Sequence, residues 1–334
     1  MSSAAPHAGY ISISQIKALM LNAAFFFSVL PRDARTLIVA YLLRIVPHVH
    51  DPAHLQKSEE IRLNPAPGIV EHMCVAPDGS IVMCTLRRVY MFNAQGCCTW
   101  KFQYDACSFA ACAVSTDQTI YLSVPERSGV YAAIPARRFA FNFCSDMVAR
   151  PGAIALNRDE SKLYIVSVGR HCIFVFDTAT REPLTTLKVQ NPCGVAVLSS
   201  DHVAVSSFCG MRKYIDASTF SGLQDVISPP KINVFDASGH LINLIQLWRH
   251  VPSIGIGLVA DRAGNLYIES AHNGPAVVVS AITSELIGYA GDGLRGIALC
   301  PDGAVARWGT RQICLFRSPA AAAGATVAIT KTDD

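Results

Sequence analysis

The chain contains 334 residues, of which 51% are hydrophobic and 16% are charged, and its formal net charge is +3. A chain this apolar is not disordered, and so small a net charge gives no overall field that would attract nucleic acid or a membrane surface. The two most apolar runs, residues 18–30 and 37–46, are shorter than the roughly 20 residues that a membrane span requires, and no basic, cleavable leader precedes them. We therefore expect an intracellular, cytoplasmic protein without a membrane span.

Residues 1–57 have a different pattern from the rest of the chain. Residues 1–10 are predicted to be flexible, and a helical extension ending in a linker rich in histidine and proline follows over residues 11–57. Pro31 ends the first helix, and a second helix is predicted over residues 33–45. Its apolar face, a candidate docking surface, consists of Leu37, Ile38, Tyr41, Leu42 and Ile45. The extension is either a cap on the remainder of the protein or a docking module.

One pattern repeats along the remainder of the chain. A run of small, strand-forming residues is followed by a turn with an aspartate and then by a β-branched or aromatic run. The turn aspartates are Asp78, Asp117, Asp159, Asp201, Asp261 and Asp302. Four of the five intervals between them are 39 to 42 residues long, and the fifth, of 60 residues, contains an insertion between Phe208 and Lys231. Four short strands in each unit of about 40 residues are typical of a β-propeller blade.

The repeat predicts an all-β fold, a six-bladed β-propeller of four-stranded antiparallel blades over residues 58–318. A β-sandwich also has strands at short intervals, but it gives no reason for a period of about 41 residues. Two segments compete to close the ring. Residues 60–63 are favoured as the outer strand of the sixth blade, and residues 326–330 of the C-terminal tail (319–334) are the alternative.

The third and fourth repeats resemble NHL repeats. Residues 152–156 have the glycine and the Ile-Ala strand of that family, and residues 163–166 have its Tyr-Val strand. In residues 169–177 a basic residue leads into an Ile-x-Val-Phe strand, and residues 231–239 repeat this motif and end in Asp-x-x-Gly. The resemblance covers about residues 60–317. It implies a six-bladed propeller that binds proteins or single-stranded RNA.

Residues 30–42 are similar to the opening of an F-box. They begin with Leu-Pro, followed by an acidic residue and an Ile-x-x-Tyr-Leu helix. The resemblance implies docking on an adaptor of a ubiquitin ligase through the apolar helix face, which would make the protein a substrate receptor.

Basic residues gather in the predicted turns between the second and third strands of the blades. These candidate binding residues are Arg87, Arg88, Arg127, Arg170, His171, Arg212, Lys213, His272 and Arg311. A ring of cations could neutralise the phosphates of single-stranded RNA. However, a basic residue before the third strand belongs to the NHL pattern and also has a structural explanation. On the same face the insertion is predicted to be a recognition loop, in which Phe220, Leu223 and Ile227 fill a partner's pocket.

Signals for catalysis and metal binding are weak. At the predicted channel opening only Glu71 and His72 are suited to hold a metal, and one blade cannot supply the about three ligands that such a site needs. The 12 cysteines include no CxxC pair, and most lie in apolar runs, where cysteine behaves as a small buried hydrophobe. We therefore predict a non-catalytic protein-interaction module or scaffold with no cofactor and no metal. RNA binding, a ubiquitin-ligase role and a propeller hydrolase or lactonase are the alternatives.

Overall fold

The chain divides into two compact units, Met1–His48 and Val49–Asp334. A computed structural model describes residues of the second unit only, namely 56–104, 108–137, 139–144, 147–198, 201–207, 230–247, 254–270, 276–290, 294–308 and 312–317. The predicted helical extension, with its candidate docking face Leu37, Ile38, Tyr41, Leu42 and Ile45, lies outside the described residues.

The described part of the second unit is a six-bladed β-propeller of four-stranded antiparallel blades, as the repeat predicted. The first three blades follow one another along the chain. Blade 1 contains β2 (Val70–Val75), β3 (Ile81–Thr85), β4 (Arg88–Phe92) and β5 (Cys98–Gln103). Blade 2 contains β6 (Ala111–Val114), β7 (Ile120–Val124), β8 (Gly129–Ile134) and β9 (Phe139–Cys144). Blade 3 contains β10 (Pro151–Leu156), β11 (Lys162–Ser167), β12 (Cys172–Asp177) and β13 (Pro183–Lys188).

The other three blades have the same strand order, and the last one takes its outer strand from the start of the propeller. Blade 4 contains β14 (Pro192–Val197), β15 (Val203–Ser207), β16 (Lys231–Phe235) and β17 (Leu241–Gln246). Blade 5 contains β18 (Ile254–Ala260), β19 (Asn265–Ser270), β20 (Ala276–Ser280) and β21 (Leu286–Ala290). Blade 6 contains β22 (Arg295–Leu299), β23 (Val305–Trp308), β24 (Gln312–Arg317) and β1 (Gln56–Arg62). The first strand of every blade contacts the first strands of both neighbouring blades, so these six strands form the inner ring.

The ring is closed by the segment that the sequence favoured. The strand β1 pairs antiparallel with β24, and Ile61 lies opposite Ile313. Ile61 and Leu63 are buried in one apolar cluster with Ile313 and with Met73 of blade 1. The N-terminal strand therefore completes the sixth blade and packs it against the first. The alternative closing segment, residues 326–330, lies outside the described residues.

The repeated aspartate has a local structural cause. In five of the six turns its carboxylate accepts the backbone N–H of the residue two positions later, for example from Ser80 to Asp78 at 2.8 Å and from Ser161 to Asp159 at 3.1 Å. The Ser161 hydroxyl and its backbone N–H lower the pKa of Asp159. An aspartate at this position therefore makes the tight connection between the first and second strands, and this explains the regular spacing in the sequence.

The apolar core lies between the blades. Each buried cluster joins strands of two neighbouring blades; one of them combines Tyr121 and Phe143 of blade 2 with Leu163 and Phe176 of blade 3. The inner strands carry small residues such as Ala111 and Ala153, both buried. Because the core is shared, each blade depends on its neighbours for stability.

We expect substitution of Gly296 to destabilise the propeller more than substitution of Gly68. Both glycines have a positive φ, +55° for Gly296 and +88° for Gly68. A Cβ on Gly296 would lie 1.7 Å from the ring of Trp308, which is 2% exposed, whereas a Cβ on Gly68 would meet nothing within 4 Å. Gly68→Ala should therefore cost only its backbone strain, about 1 kcal/mol. Gly296→Ala also has to displace the buried indole and should cost about 3 kcal/mol in urea unfolding; equal losses would contradict this packing.

Candidate functional site

The candidate binding face follows from the strand order. In each blade the turn between the second and third strands and the link to the next blade lie on one face, which we call the linker face; in blade 1 this turn is formed by Leu86 and Arg87. The aspartate turns lie on the opposite face. The sequence placed its basic residues in the turns of the linker face. Of these, Arg87, Arg88, Arg127, Arg170 and His171 are described, and all five are exposed.

In blade 1 the two adjacent arginines have different surroundings. Arg88 is the first residue of β4, and its Nε donates a hydrogen bond to Gln103 Oε1 at 3.1 Å, while Nη1 lies 3.5 Å from the hydroxyl of Tyr90. Arg87 stands in the turn before it, and within the described residues its guanidinium forms no hydrogen bond or ion pair. Arg88 therefore supports the outer strands of its own blade, and Arg87 is the cation of this pair that a ligand can reach.

In blades 2 and 3 the basic residues end short 3₁₀ turns. These turns are Pro125–Arg127 and Val168–Arg170, and each is followed by a residue with a left-handed backbone. In blade 3 that residue is His171, whose Nδ1 accepts the backbone N–H of Asn191 at 3.3 Å. His171 thus holds the link between blades 3 and 4. Its position on the linker face is explained by this structural role without any ligand.

The remaining predicted residues of this face lie outside the described residues. They are Arg212, Lys213, His272 and Arg311, together with the predicted recognition residues Phe220, Leu223 and Ile227. The strand β15 ends at Ser207 and β16 begins at Lys231, so the insertion connects the second and third strands of blade 4. Because all such connections leave and enter their strands on the linker face, the two strand ends that flank the insertion, Ser207 and Lys231, lie on this face.

Near the start of the inner strand of blade 1, His72 is half-buried beside Cys112 of blade 2. Its Nδ1 accepts the backbone N–H of Cys112 at 3.3 Å, and its ring centroid lies 6.5 Å from that of Trp308 in an edge arrangement. Burial lowers the pKa of His72 to about 4, so the imidazole is neutral at neutral pH. Within the described residues no three His, Cys, Asp or Glu side chains are arranged to hold a metal ion.

Two charged residues between blades 5 and 6 were not anticipated from the sequence. The carboxylate of Glu269 accepts the backbone N–H groups of Gly257 at 3.0 Å and Gly296 at 2.9 Å, which joins the inner strands of the two blades. Arg307 is 0% exposed, and its guanidinium donates to the backbone oxygens of Gly296, at 3.1 Å, and Leu294. Both side chains satisfy backbone groups of the inner strands, so their role is structural.

An exposed apolar surface on the outer strand of blade 4 was also missed. Leu241, Ile242 and Leu244, which we call the rim patch, are 53%, 47% and 43% exposed. Leu241 and Leu244 lie opposite Phe235 and Asn233 in β16, so they share one face of the sheet. The sequence contains the signal for this surface, because the strand carries apolar residues on both of its faces. An outer strand needs apolar residues only on the face that packs in the core.

A second observation extends the rim patch towards blade 5. The amide of Asn243, between two rim-patch residues, donates to the backbone oxygen of Ala281 and contacts the hydroxyl of Ser284, both at 2.9 Å. Ile282, which lies between these two positions in the turn of blade 5, is 46% exposed. Exposed side chains of this size that gather at one place are typical of an interaction surface.

Comparisons with protein-family models and with curated proteins found no match for this chain. In the described part of the chain, no helix has the length and apolar character that crossing a membrane would require.

Proposed function

We propose that this protein is a non-catalytic protein-interaction module, built on an NHL-like propeller, whose partner binds at the rim patch. The exposure of Leu241, Ile242 and Leu244 on one outer strand supports this proposal most directly. Leaving three large aliphatic side chains in water has no benefit for folding, whereas burying them against a partner removes apolar surface from water. The partner is a protein, because an apolar strand offers nothing that a phosphate backbone would bind.

The closed ring makes the rim patch suitable for recognition. The strand β17 is held on its inner side by β16, and Asn243 fixes it to the turn of the next blade. A surface on such a scaffold loses little conformational freedom when a partner binds, so more of the contact energy contributes to affinity.

Binding of single-stranded RNA on the linker face is the second candidate function. The exposed Arg87, Arg127 and Arg170 favour it, because they lie on one face and could contact successive phosphates. Two other members of the predicted set, Arg88 and His171, have hydrogen-bonding roles within the fold. The net charge of +3 is also small for a nucleic-acid-binding protein. These observations make RNA the weaker candidate.

The remaining interpretations stay predictions from the sequence. Docking on a ubiquitin-ligase adaptor depends on residues 30–42, which lie outside the described residues. A hydrolase or lactonase would need a ligand set in the channel, and Glu71 and His72 are its only candidates from the sequence. A cytoplasmic location likewise stays a prediction from the sequence.

The proposal predicts that charges placed in the rim patch abolish partner binding without unfolding the protein. Leu241→Asp combined with Leu244→Asp should reduce the proteins captured from native extract at least about tenfold, because interface anchors of this kind carry much of the binding energy. Leu184→Asp, at an exposed leucine of the outer strand of blade 3 (51% exposed), is the matched control and should leave capture unchanged. Both variants should melt within about 2 °C of the wild type.

The same experiment separates protein from RNA as the ligand. If capture survives the rim-patch substitutions but is lost after nuclease treatment and in Arg87→Glu with Arg170→Glu, the RNA interpretation is correct. The affinity for RNA would then fall as the salt concentration rises. Each phosphate contact would contribute about −0.7 to the slope of log K against log salt concentration. Capture that is unaffected by either set of substitutions would contradict both functions at these surfaces.

A further inference from the structure

Two thiols from neighbouring inner strands meet between blades 1 and 2. Cys74 lies on β2 and Cys112 on β6, and their Sγ atoms are 3.4 Å apart. The two residues are 38 positions apart in the chain, so only the contact between the blades brings them together. Cys74 is half-buried, whereas Cys112 is 1% exposed. Cys74 is therefore the more accessible residue of the pair and the one that meets a reagent first.

A histidine and a third cysteine lie beside the pair. His72 Nδ1 accepts the backbone N–H of Cys112 at 3.3 Å, so this nitrogen is unprotonated and the ring hydrogen is on Nε2. The same Nδ1 lies 3.5 Å from Cys112 Sγ. A third cysteine, Cys84, is fully buried in the same apolar cluster. Because burial lowers the pKa of His72 to about 4, the imidazole stays neutral beside the two thiols and takes no proton from them.

Both thiols have raised pKa values, so at neutral pH they react slowly with reagents in solution. The hydrogen bond with Cys112, together with burial, raises the pKa of the Cys74 thiol, and burial raises the pKa of Cys112. Thiolates attack disulfides and thiols do not, so the intermolecular attack of Cys74 on a disulfide reagent is the slow step at neutral pH and becomes faster as the pH rises. An intramolecular attack between sulfur atoms already in contact is favoured by proximity instead.

We propose that Cys74 and Cys112 are a redox site that forms a reversible disulfide between blades 1 and 2 in reaction with a low-molecular-weight disulfide such as glutathione disulfide. In the first step Cys74 Sγ attacks the reagent, loses its proton and becomes a mixed disulfide, and one glutathione thiol is released. In the second step Cys112 Sγ attacks Cys74 Sγ, the bond to glutathione breaks, and the leaving glutathione sulfur takes up the proton that Cys112 loses. Two protein thiols are oxidised, and one glutathione disulfide is reduced to two thiols.

The disulfide would join two strands of the inner ring. It would close a chain segment that contains the outer three strands of blade 1, and so it would restrict the unfolded chain and hold the two blades together. We expect oxidised protein to melt about 5 °C above reduced protein. Reduction with excess thiol should reverse the shift.

The test is to identify the disulfide in the full-length protein after incubation with glutathione disulfide. Cleavage at methionine separates residues 74–83 from the fragment containing Cys84, and trypsin then gives residues 102–127. We expect these two peptides to be joined, with fragmentation placing the bond at Cys112. In Cys112→Ser the mixed disulfide should instead accumulate on Cys74, and in Cys74→Ser the peptide 102–127 should carry no glutathione on residue 112.

Matched variants keep the proposal falsifiable. Cys193→Ser removes another half-buried inner-strand cysteine, in blade 4, and should leave both the disulfide and the melting shift unchanged. The proposal is overturned if wild-type protein of native circular dichroism yields residues 74–83 free or still bound to glutathione. It is also overturned if Cys112 is found joined to Cys84, or if the disulfide forms without a change in melting temperature.

Discussion

Ile61→Asp is expected to open the ring and to lower the free energy of unfolding by about 4 kcal/mol. Ile61 is 8% exposed and lies in β1, the strand that closes blade 6, opposite Ile313 of β24. The substitution removes buried apolar surface and places a carboxylate in the cluster that joins blades 6 and 1. Urea unfolding followed by fluorescence measures the loss. The matched control is Ile69→Asp, because Ile69 is 58% exposed and should tolerate the charge within about 0.5 kcal/mol.

Truncation provides a second measure of ring closure. A chain of residues 64–334 lacks β1, so β24 becomes an unpaired edge and the protein should aggregate or lose its cooperative transition. A chain of residues 56–334 retains every described strand and should keep the melting transition. If the two truncated chains are equally stable, ring closure by β1 is not required for stability. Reduced solubility of residues 56–334 with an unchanged melting temperature would favour the cap over the docking module for residues 11–57.

Arg307→Ala is expected to destabilise the propeller by about 4 kcal/mol, the second of the two large effects. The buried guanidinium donates to the backbone oxygens of Gly296 and Leu294 at the start of the inner strand of blade 6. Alanine leaves both oxygens without this donor, and it also leaves a cavity in place of a fully buried side chain. The loss should appear as a lower urea midpoint with an unchanged m-value.

Two further variants identify the cause of this loss. Arg307→Lys keeps the charge but has no planar fork for two carbonyls, so we expect it to recover only part of the stability. Arg87→Ala removes an exposed arginine and should change stability by less than about 0.5 kcal/mol. Full recovery by lysine would show that charge, rather than the two directed hydrogen bonds, is what the site needs. A neutral effect of Arg307→Ala would contradict the structural role assigned to the guanidinium.

The structure changes the interpretation of the basic residues more than that of the fold. The sequence grouped Arg87, Arg88 and His171 as equivalent cations of one face, and the described residues do lie on that face. Their environments differ, since Gln103 binds Arg88 and Asn191 binds His171 through its backbone N–H. A basic residue in a repeat can therefore be retained for a hydrogen bond within the blade, and its charge alone does not identify a ligand.

The features that the sequence alone determined are local and repeated. In five of the six turns the aspartate accepts the backbone N–H of the residue two positions later, as Asp78 does from Ser80, so the same local bond recurs and the spacing of the turns gives the number of blades. The closing strand could also be predicted, because the sixth repeat lacks a fourth strand and residues 60–63 are strand-forming. Such features can be recognised in a single sequence because they do not depend on contacts with a neighbouring blade.

Other features were decided only by the tertiary structure, because they depend on contacts between blades. In the sequence Cys74 and Cys112 are two cysteines in separate apolar runs, and nothing connects them. Only the packing of the inner strands places their sulfur atoms 3.4 Å apart. Arg307 occupies a position that is apolar in the other blades, and only the packed structure shows that the carbonyls of Gly296 and Leu294 lie beside it to accept from the buried guanidinium. The sequence shows that β17 is apolar on both faces, but only the ring shows that Leu241 and Leu244 are exposed, because no neighbour within the described residues covers them. Burial and proximity are properties of the packed ring, and the order of residues along one strand does not contain them.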